Sequence, residues 1–277
     1  MRHFIKSLLL LSVLVCGSNC VWAGTVTFEA PTYKTAPYNM NGNLLNPSQD
    51  GWQAAGYLRP PNPVAATIVS VPGFITGLEG SQALLIDSTF SGVGRVDVNH
   101  ADSGTYIDDG TSAVDLYVSF LVRSNAGETT GGTQVFLSND GPNGISQAGI
   151  RFENDKIAYY NGGTTNDGFV NFSTYGSNAM HVFENVFGVD FFTNTYTLSV
   201  RDVTLNTPAV VLKSVPQSNG NLSRANPQII LSVKQGRAYF DNIHFEQVVP
   251  VPEPSTAVLE LLGMAALMWF SRRATCI

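Results

Sequence analysis

Val114-Asp115-Leu116-Tyr117-Val118-Ser119-Phe120-Leu121-Val122-Arg123 is the stretch whose pattern settles the fold class. Val114, Leu116, Val118, Phe120 and Val122 fall on one side of an extended strand, and Asp115, Tyr117, Ser119 and Arg123 fall on the other. One face is expected to pack and the other to meet water. Tyr196, Leu198 and Val200, set against Thr197, Ser199 and Arg201, repeat the pattern. Outward from these two segments, short runs rich in β-branched and aromatic residues recur at 25–29, 65–71, 82–87, 94–99, 133–138, 148–153 and 156–160. Further runs follow at 181–183, 186–192, 209–213, 228–233 and 238–246. Gly, Asn, Asp and Ser clusters separate them, with Asn154-Asp155 predicting a tight hairpin and 139–144 a longer loop. Helical periodicity is not sustained anywhere in this region, so it reads as all-β: two antiparallel sheets packed face to face.

Composition narrows the function. The chain has 277 residues, and its 13% charged content is about half the roughly 25% usual for soluble proteins. Apolar residues make up 44%, which excludes wholesale disorder. A net charge of −6, without an internal basic run, excludes the electrostatic footprint of a nucleic-acid binder.

The two ends read as targeting segments. Residues 1–23 have the form of a secretory signal helix: Arg2 and Lys6, then an apolar stretch, then Val21-Trp22-Ala23 ahead of Gly24, which predicts cleavage between Ala23 and Gly24. Residues 250–277 hold Pro252-Glu253-Pro254, an apolar segment at 257–270 that reads as a short helix, and Arg272-Arg273. That segment is 14 residues long, whereas a spanning helix needs about 20, so it predicts a weak membrane handle with the arginines on the cytoplasmic side. Cys16, Cys20 and Cys276 all lie in these ends. The intervening 24–249 region therefore has no disulfide and must stand on its core.

The C-terminal residues resemble the PEP-CTERM sorting signal of bacterial exported proteins, in which Pro252-Glu253-Pro254 is followed by an apolar helix and Arg272-Arg273 at the end. The resemblance implies recognition and cleavage by a membrane exosortase, association with extracellular polysaccharide or other matrix proteins, and a cell-surface or extracellular location. Glu260 within the apolar segment and four residues after the arginines depart from that pattern. Separately, 115–123, 134–139, 149–160 and 196–200, with Asp50-Gly51-Trp52 and Tyr239-Phe240-Asp241-Asn242-Ile243, resemble concanavalin-A-like jelly rolls. Fold alone does not assign an activity.

In the closing strand, Asp241 shares a face with Tyr239, Ile243 and Phe245. A carboxylate on an apolar face needs backbone N–H groups, an arginine or a calcium ion. Sandwich carbohydrate-binding modules, which the region resembles, place calcium between the first and last strands, and this implies a Ca2+ site of Glu29 and Asp241. The acidic loops holding Asp102, Asp108, Asp109, Asn139, Asp140 and Asn143 lack calcium-loop spacing and read as solvated turns. His100, His181 and His244 are too far apart in sequence to form a local zinc motif.

The chain shows neither a Gly-x-Ser-x-Gly elbow nor a Glu-x-Asp-x-x-Glu strand, so no catalytic residue is assigned. Sugar binding needs aromatic rings to stack on a pyranose and amides or carboxylates for its hydroxyls. Trp52, Tyr57, Tyr106, Tyr159, Tyr160, Phe169, Phe172 and Tyr175 supply rings, with Trp52 expected in the core. The loop expected over 161–178 gathers the candidate site: Tyr159, Tyr160, Asn161, Asn166, Asp167 and Tyr175. The sequence thus reads as an exported, non-catalytic carbohydrate-binding or structural module. A glycan-active hydrolase or lyase on the same fold is the alternative.

Overall fold

A computed structural model describes residues 23–26, 28, 52–55, 66–71, 77–89, 95–102, 105–108, 110–124, 132–139, 146–153, 156–161, 168–173, 181–218, 220–234 and 236–248. The signal and sorting segments, apart from Ala23, lie outside these residues. Alternation of large apolar with polar side chains makes nearly every run named above a strand. They are β1 (Ala23–Val26), β2 (Gln53–Ala55), β3 (Ala66–Ser70), β4 (Gln82–Asp87), β5 (Arg95–Ala101), β6 (Leu116–Ser124), β7 (Thr133–Ser138) and β8 (Ser146–Phe152). After them come β9 (Ile157–Tyr160), β10 (Phe169–Ser173), β11 (Val182–Asp190), β12 (Thr195–Asp202), β13 (Val210–Pro216), β14 (Gln228–Lys234) and β15 (Arg237–Gln247).

They form two antiparallel sheets, an all-β jelly-roll sandwich as expected. The eight-stranded sheet runs β13-β12-β11-β6-β15-β4-β3, with β1 on the remaining length of β15. The seven-stranded sheet runs β10-β9-β8-β7-β14-β5-β2. Between them lies one core, to which β6 gives Leu116, Val118, Phe120 and Val122, β14 gives Ile229, Leu231 and Val233, and β12 gives Tyr196 and Leu198. Trp52 is in that core, stacked on His100 at 4.9 Å. At its margin Ser124 and Thr133 hydroxyls join the sheets at 2.9 Å. β8 pairs with β9, and Glu153 N–H donates to Lys156 O at 3.0 Å, while Asn154 and Asp155 themselves lie outside the described residues.

Four expectations need correction. The two runs expected at 181–183 and 186–192 are joined in one strand, β11, with an interior Asn185, because ladders to β6 and β12 hold both of its sides. The outward face of β6 is wet only over Tyr117 and Ser119. Arg123 is buried, its guanidinium 5.7 Å from the Tyr239 ring, and burial holds its pKa below the ordinary arginine value. Asp115 is buried too, accepting from Phe191 N–H at 2.9 Å. Finally, Asp241 does not share the core face with Ile243 and Phe245. The β15–β6 register shifts between Asp241 and His244, and Asn242 sits at φ 50°. This bulge reverses the alternation, so Ala238 and Phe240 enter the core before it and Ile243 and Phe245 after it. Tyr239 packs instead into a smaller cluster outside the sheet, with Leu121, Val182, Val71, Leu78 and Val203.

Candidate functional site

The outward face of the seven-stranded sheet carries a row built by register alone. Phe169 pairs with Tyr160, Gly149 with Phe136, Phe136 with Ile230, and Ile230 with Asn99. Ile150 opposite Tyr159 places Gly149 beside Tyr160. Successive members of one row stand on the same face across the strands. Phe136 and Phe169 rings lie 5.7 Å apart, and Tyr160 meets them edge-on at 5.8 and 5.4 Å. Such edge-to-face contacts are favourable because ring edges are positive and faces negative.

Glycines make the row possible. A Cβ on Gly149 would stand 2.6 Å from Phe136 Cδ1, and one on Gly168, which is at φ +70°, would meet the Tyr160 ring. From behind, the buried Tyr196 of the opposite sheet donates its hydroxyl to Tyr160 O, and burial raises the Tyr196 pKa well above the phenol norm. Tyr160 and Phe169 remain half-exposed at the open end of the row.

Next to the aromatic row runs a polar one: Arg151 opposite Gln134, Gln134 opposite Ser232, Ser232 opposite Asp97. The Arg151 guanidinium covers the Phe169 ring at 4.3 Å and pairs with Glu153 at 2.8 Å. Arg95 Nε donates to Asp97 at 2.7 Å and Ser232 Oγ at 3.0 Å. Both arginines are matched to carboxylates, and Glu153 is shared between Arg151 and Lys156, the latter at 2.8 Å. Two buried amide oxygens have acceptor capacity to spare: Asn99 Oδ1 and Gln147 Oε1, on residues 6% and 3% exposed. Asn99 Nδ2 itself donates to Gln228 at 3.2 Å. Phe136, Arg151, Ser232 and Asp97 are buried within this face, so what it presents to solvent is the half-exposed Tyr160, Phe169 and Gln134, two rings beside an amide and a phenol hydroxyl.

The predicted site residues divide. Tyr160 stands in the row. Tyr159 does not, because adjacent strand residues point to opposite faces and its ring packs on the core. Asn161 closes the β9–β10 hairpin, its N–H donating to Gly168 O at 3.0 Å. The stretch expected to be a loop contains β10, and Phe169 enters the row through it. Asn166, Asp167 and Tyr175 lie outside the described residues. Tyr106 is no stacking platform: it is buried, donates to Asp102, and burial with that hydrogen bond pushes its pKa far up. Phe136 and Arg151 were missed, since only register reveals that they meet Phe169.

For the calcium expectation, the structure does pair the first strand with the last, Val26 opposite Ile243. Glu29 lies outside the described residues. Asp241 is buried and accepts from the backbone N–H of Glu79 at 3.0 Å and of Asn242 at 2.8 Å. Among the described residues, no group of three or more His, Cys, Asp or Glu is placed to hold a metal. The acidic loops are structural where described: Asp108 pairs with Arg224, and Asn139 Nδ2 donates to Asn221 O at 2.9 Å. His181 pairs with Asp202 at 2.7 Å and His244 with Glu246 at 3.8 Å.

No protein-family model and no curated protein matches the sequence. Solved structures of similar shape include lectin I-B4 from Griffonia simplicifolia in its metal-free form, 9% identical, with 82% of this chain and 100% of that one covered and a TM-score of 0.44. A protein of unknown function from Shewanella oneidensis MR-1 is 12% identical, with 90% and 95% covered and a TM-score of 0.47. The catalytic domain of a glycoside hydrolase family 131 protein from Coprinopsis cinerea is 14% identical, with 74% and 86% covered and a TM-score of 0.45.

Proposed function

We propose that the protein is exported, is held at the cell surface by its C-terminal tail until an exosortase processes it, and binds extracellular polysaccharide through the outward face of its seven-stranded sheet. The observation that carries the binding reading is the aromatic row Phe169–Tyr160–Phe136 beside the polar row Arg151–Gln134–Ser232–Asp97. Sugars present both apolar C–H faces and hydroxyls, and this pairing of rings with amides and hydroxyls answers both. Export is supported by Arg2, Lys6 and the Ala23-Gly24 junction at one end and by Pro252-Glu253-Pro254 and Arg272-Arg273 at the other.

The test is retention on immobilised exopolysaccharide of the producing cell. Phe169→Ala and Tyr160→Ala, each shown to melt cooperatively, are expected to lose retention. A Thr207→Ala variant, in the β12–β13 turn, is expected to keep it. Full retention by both ring variants would remove this face from the reading.

A further inference from the structure

Six large apolar side chains are exposed among the described residues, and three of them gather at one end of the sandwich. Phe192, 57% exposed, is held at the tip of the β11–β12 turn, where Asp190 accepts from Phe192 N–H and Thr193 N–H, both at 2.9 Å. Asp115 receives Phe191 N–H at that turn. Arg224, half-exposed, lies 6.0 Å from the Phe191 ring and pairs with Asp108, next to exposed Ile107. Tyr117, the third, is the second residue of β6, two residues from Asp115, and stands opposite Glu246.

The two chain ends join the domain at this same place. Ala23 pairs with Glu246, and Val248 N–H donates to Asp115 O at 2.8 Å. From Val248, eight residues lead to the apolar segment at 257–270, a reach of at most about 29 Å. Isolated exposed apolar residues are ordinary, but three at the end where a membrane handle attaches are not.

We infer that this end of the sandwich is the membrane-facing end: Phe192, Ile107 and Tyr117 rest in the lipid headgroup region while the tail is still attached. Apolar and amphipathic side chains partition into that interface. The inference rests on the reading of residues 257–270 as a membrane handle.

The test uses the full chain with its three cysteines changed to serine and single cysteines reintroduced for an environment-sensitive dye. The sites are Phe192→Cys, Ile107→Cys, Leu205→Cys and Ala266→Cys. Leu205 is the control: it is 61% exposed but lies in the turn at the far end of β12, about 26 Å from Phe192's end. Vesicles of phosphatidylethanolamine and phosphatidylglycerol with brominated acyl chains are added. Emission is expected to shift blue and be quenched at 192, 107 and 266, and to stay unchanged at 205. Quenching at 266 without any at 192 or 107 overturns the inference and leaves the tail reading intact. No quenching at 266 overturns the tail reading and the inference with it. A shift at 192 that follows protein concentration in the absence of lipid assigns the cluster to a second copy and also overturns it.

Discussion

Gly149→Ala tests whether the aromatic row is rigid. The added methyl would sit 2.6 Å from Phe136 Cδ1, 3.0 Å from Cε1 and 3.2 Å from Tyr160 Cβ, where carbon atoms normally rest about 3.5–4.0 Å apart. The ring must therefore move by roughly 1 Å. It has little room, since Phe169 and Tyr160 wedge it and the residue is buried. Overpacking of this kind costs about 1–3 kcal/mol. At roughly 2–4 °C per kcal/mol for a domain this size, the melting temperature should fall by about 2–12 °C. Calorimetry measures the fall, and polysaccharide retention should drop with it. Adding Phe136→Leu should recover most of the lost stability without recovering retention, because it relieves the clash but removes a ring. If Gly149→Ala melts like the parent and binds like it, the ring is mobile and the row is not a preformed surface.

Asn185 is fully buried on the core face of β11, with Nδ2 donating to Phe183 O at 3.0 Å and Oδ1 matched by no donor among the described residues. Asn185→Leu is expected to stabilise the domain by about 1 kcal/mol, the uncompensated oxygen outweighing one lost hydrogen bond. A lower melting temperature would show that an enclosed water already satisfies that oxygen. Tyr196 and Tyr106 have raised pKa values, chiefly through burial. Their neutral forms therefore stabilise the fold fully below the unfolded phenol value of about 10, and the contribution is lost as pH rises above it. Thermal melts from pH 8 to 12 should show this loss, and Tyr196→Phe should reduce its slope; an unchanged slope refutes the assignment. Asp241→Ala removes the acceptor for Glu79 and Asn242 N–H and should cost about 1–3 kcal/mol. The loss should be the same with and without chelator, and a chelator-dependent loss would instead favour a bound calcium ion.

The strands were legible because their alternation is local. Leu116 to Val122 and Tyr196 to Val200 name their own buried faces. β10 was not, since five residues at a sheet edge amid Asn, Gly and Thr have too little apolar content to stand out. The face of Asp241 was misread because a period of two holds only until a bulge intervenes. Asp241-Asn242 was the available signal, asparagine tolerating the left-handed conformation that Asn242 adopts. In the candidate site, Tyr159 and Tyr160 were grouped although adjacent residues of one strand point to opposite faces. Neither composition nor spacing could reveal that Phe136 and Phe169, 33 positions apart, sit in one row. Register is a property of the assembled sheet.

The strands made last occupy the middle of both layers. β14 separates β7 from β5, and β15 separates β6 from β4 and β1. Until residues 228–247 have emerged, each layer is two unjoined halves, and the opening strand has nothing to pair with. Folding is therefore postponed to the end of synthesis and made nearly all-or-none by long-range pairing. A polypeptide that stays open until its final twenty-odd sandwich residues appear is suited to being threaded through a narrow channel. A truncation that removes only that stretch should yield protease-sensitive material instead of a smaller stable core.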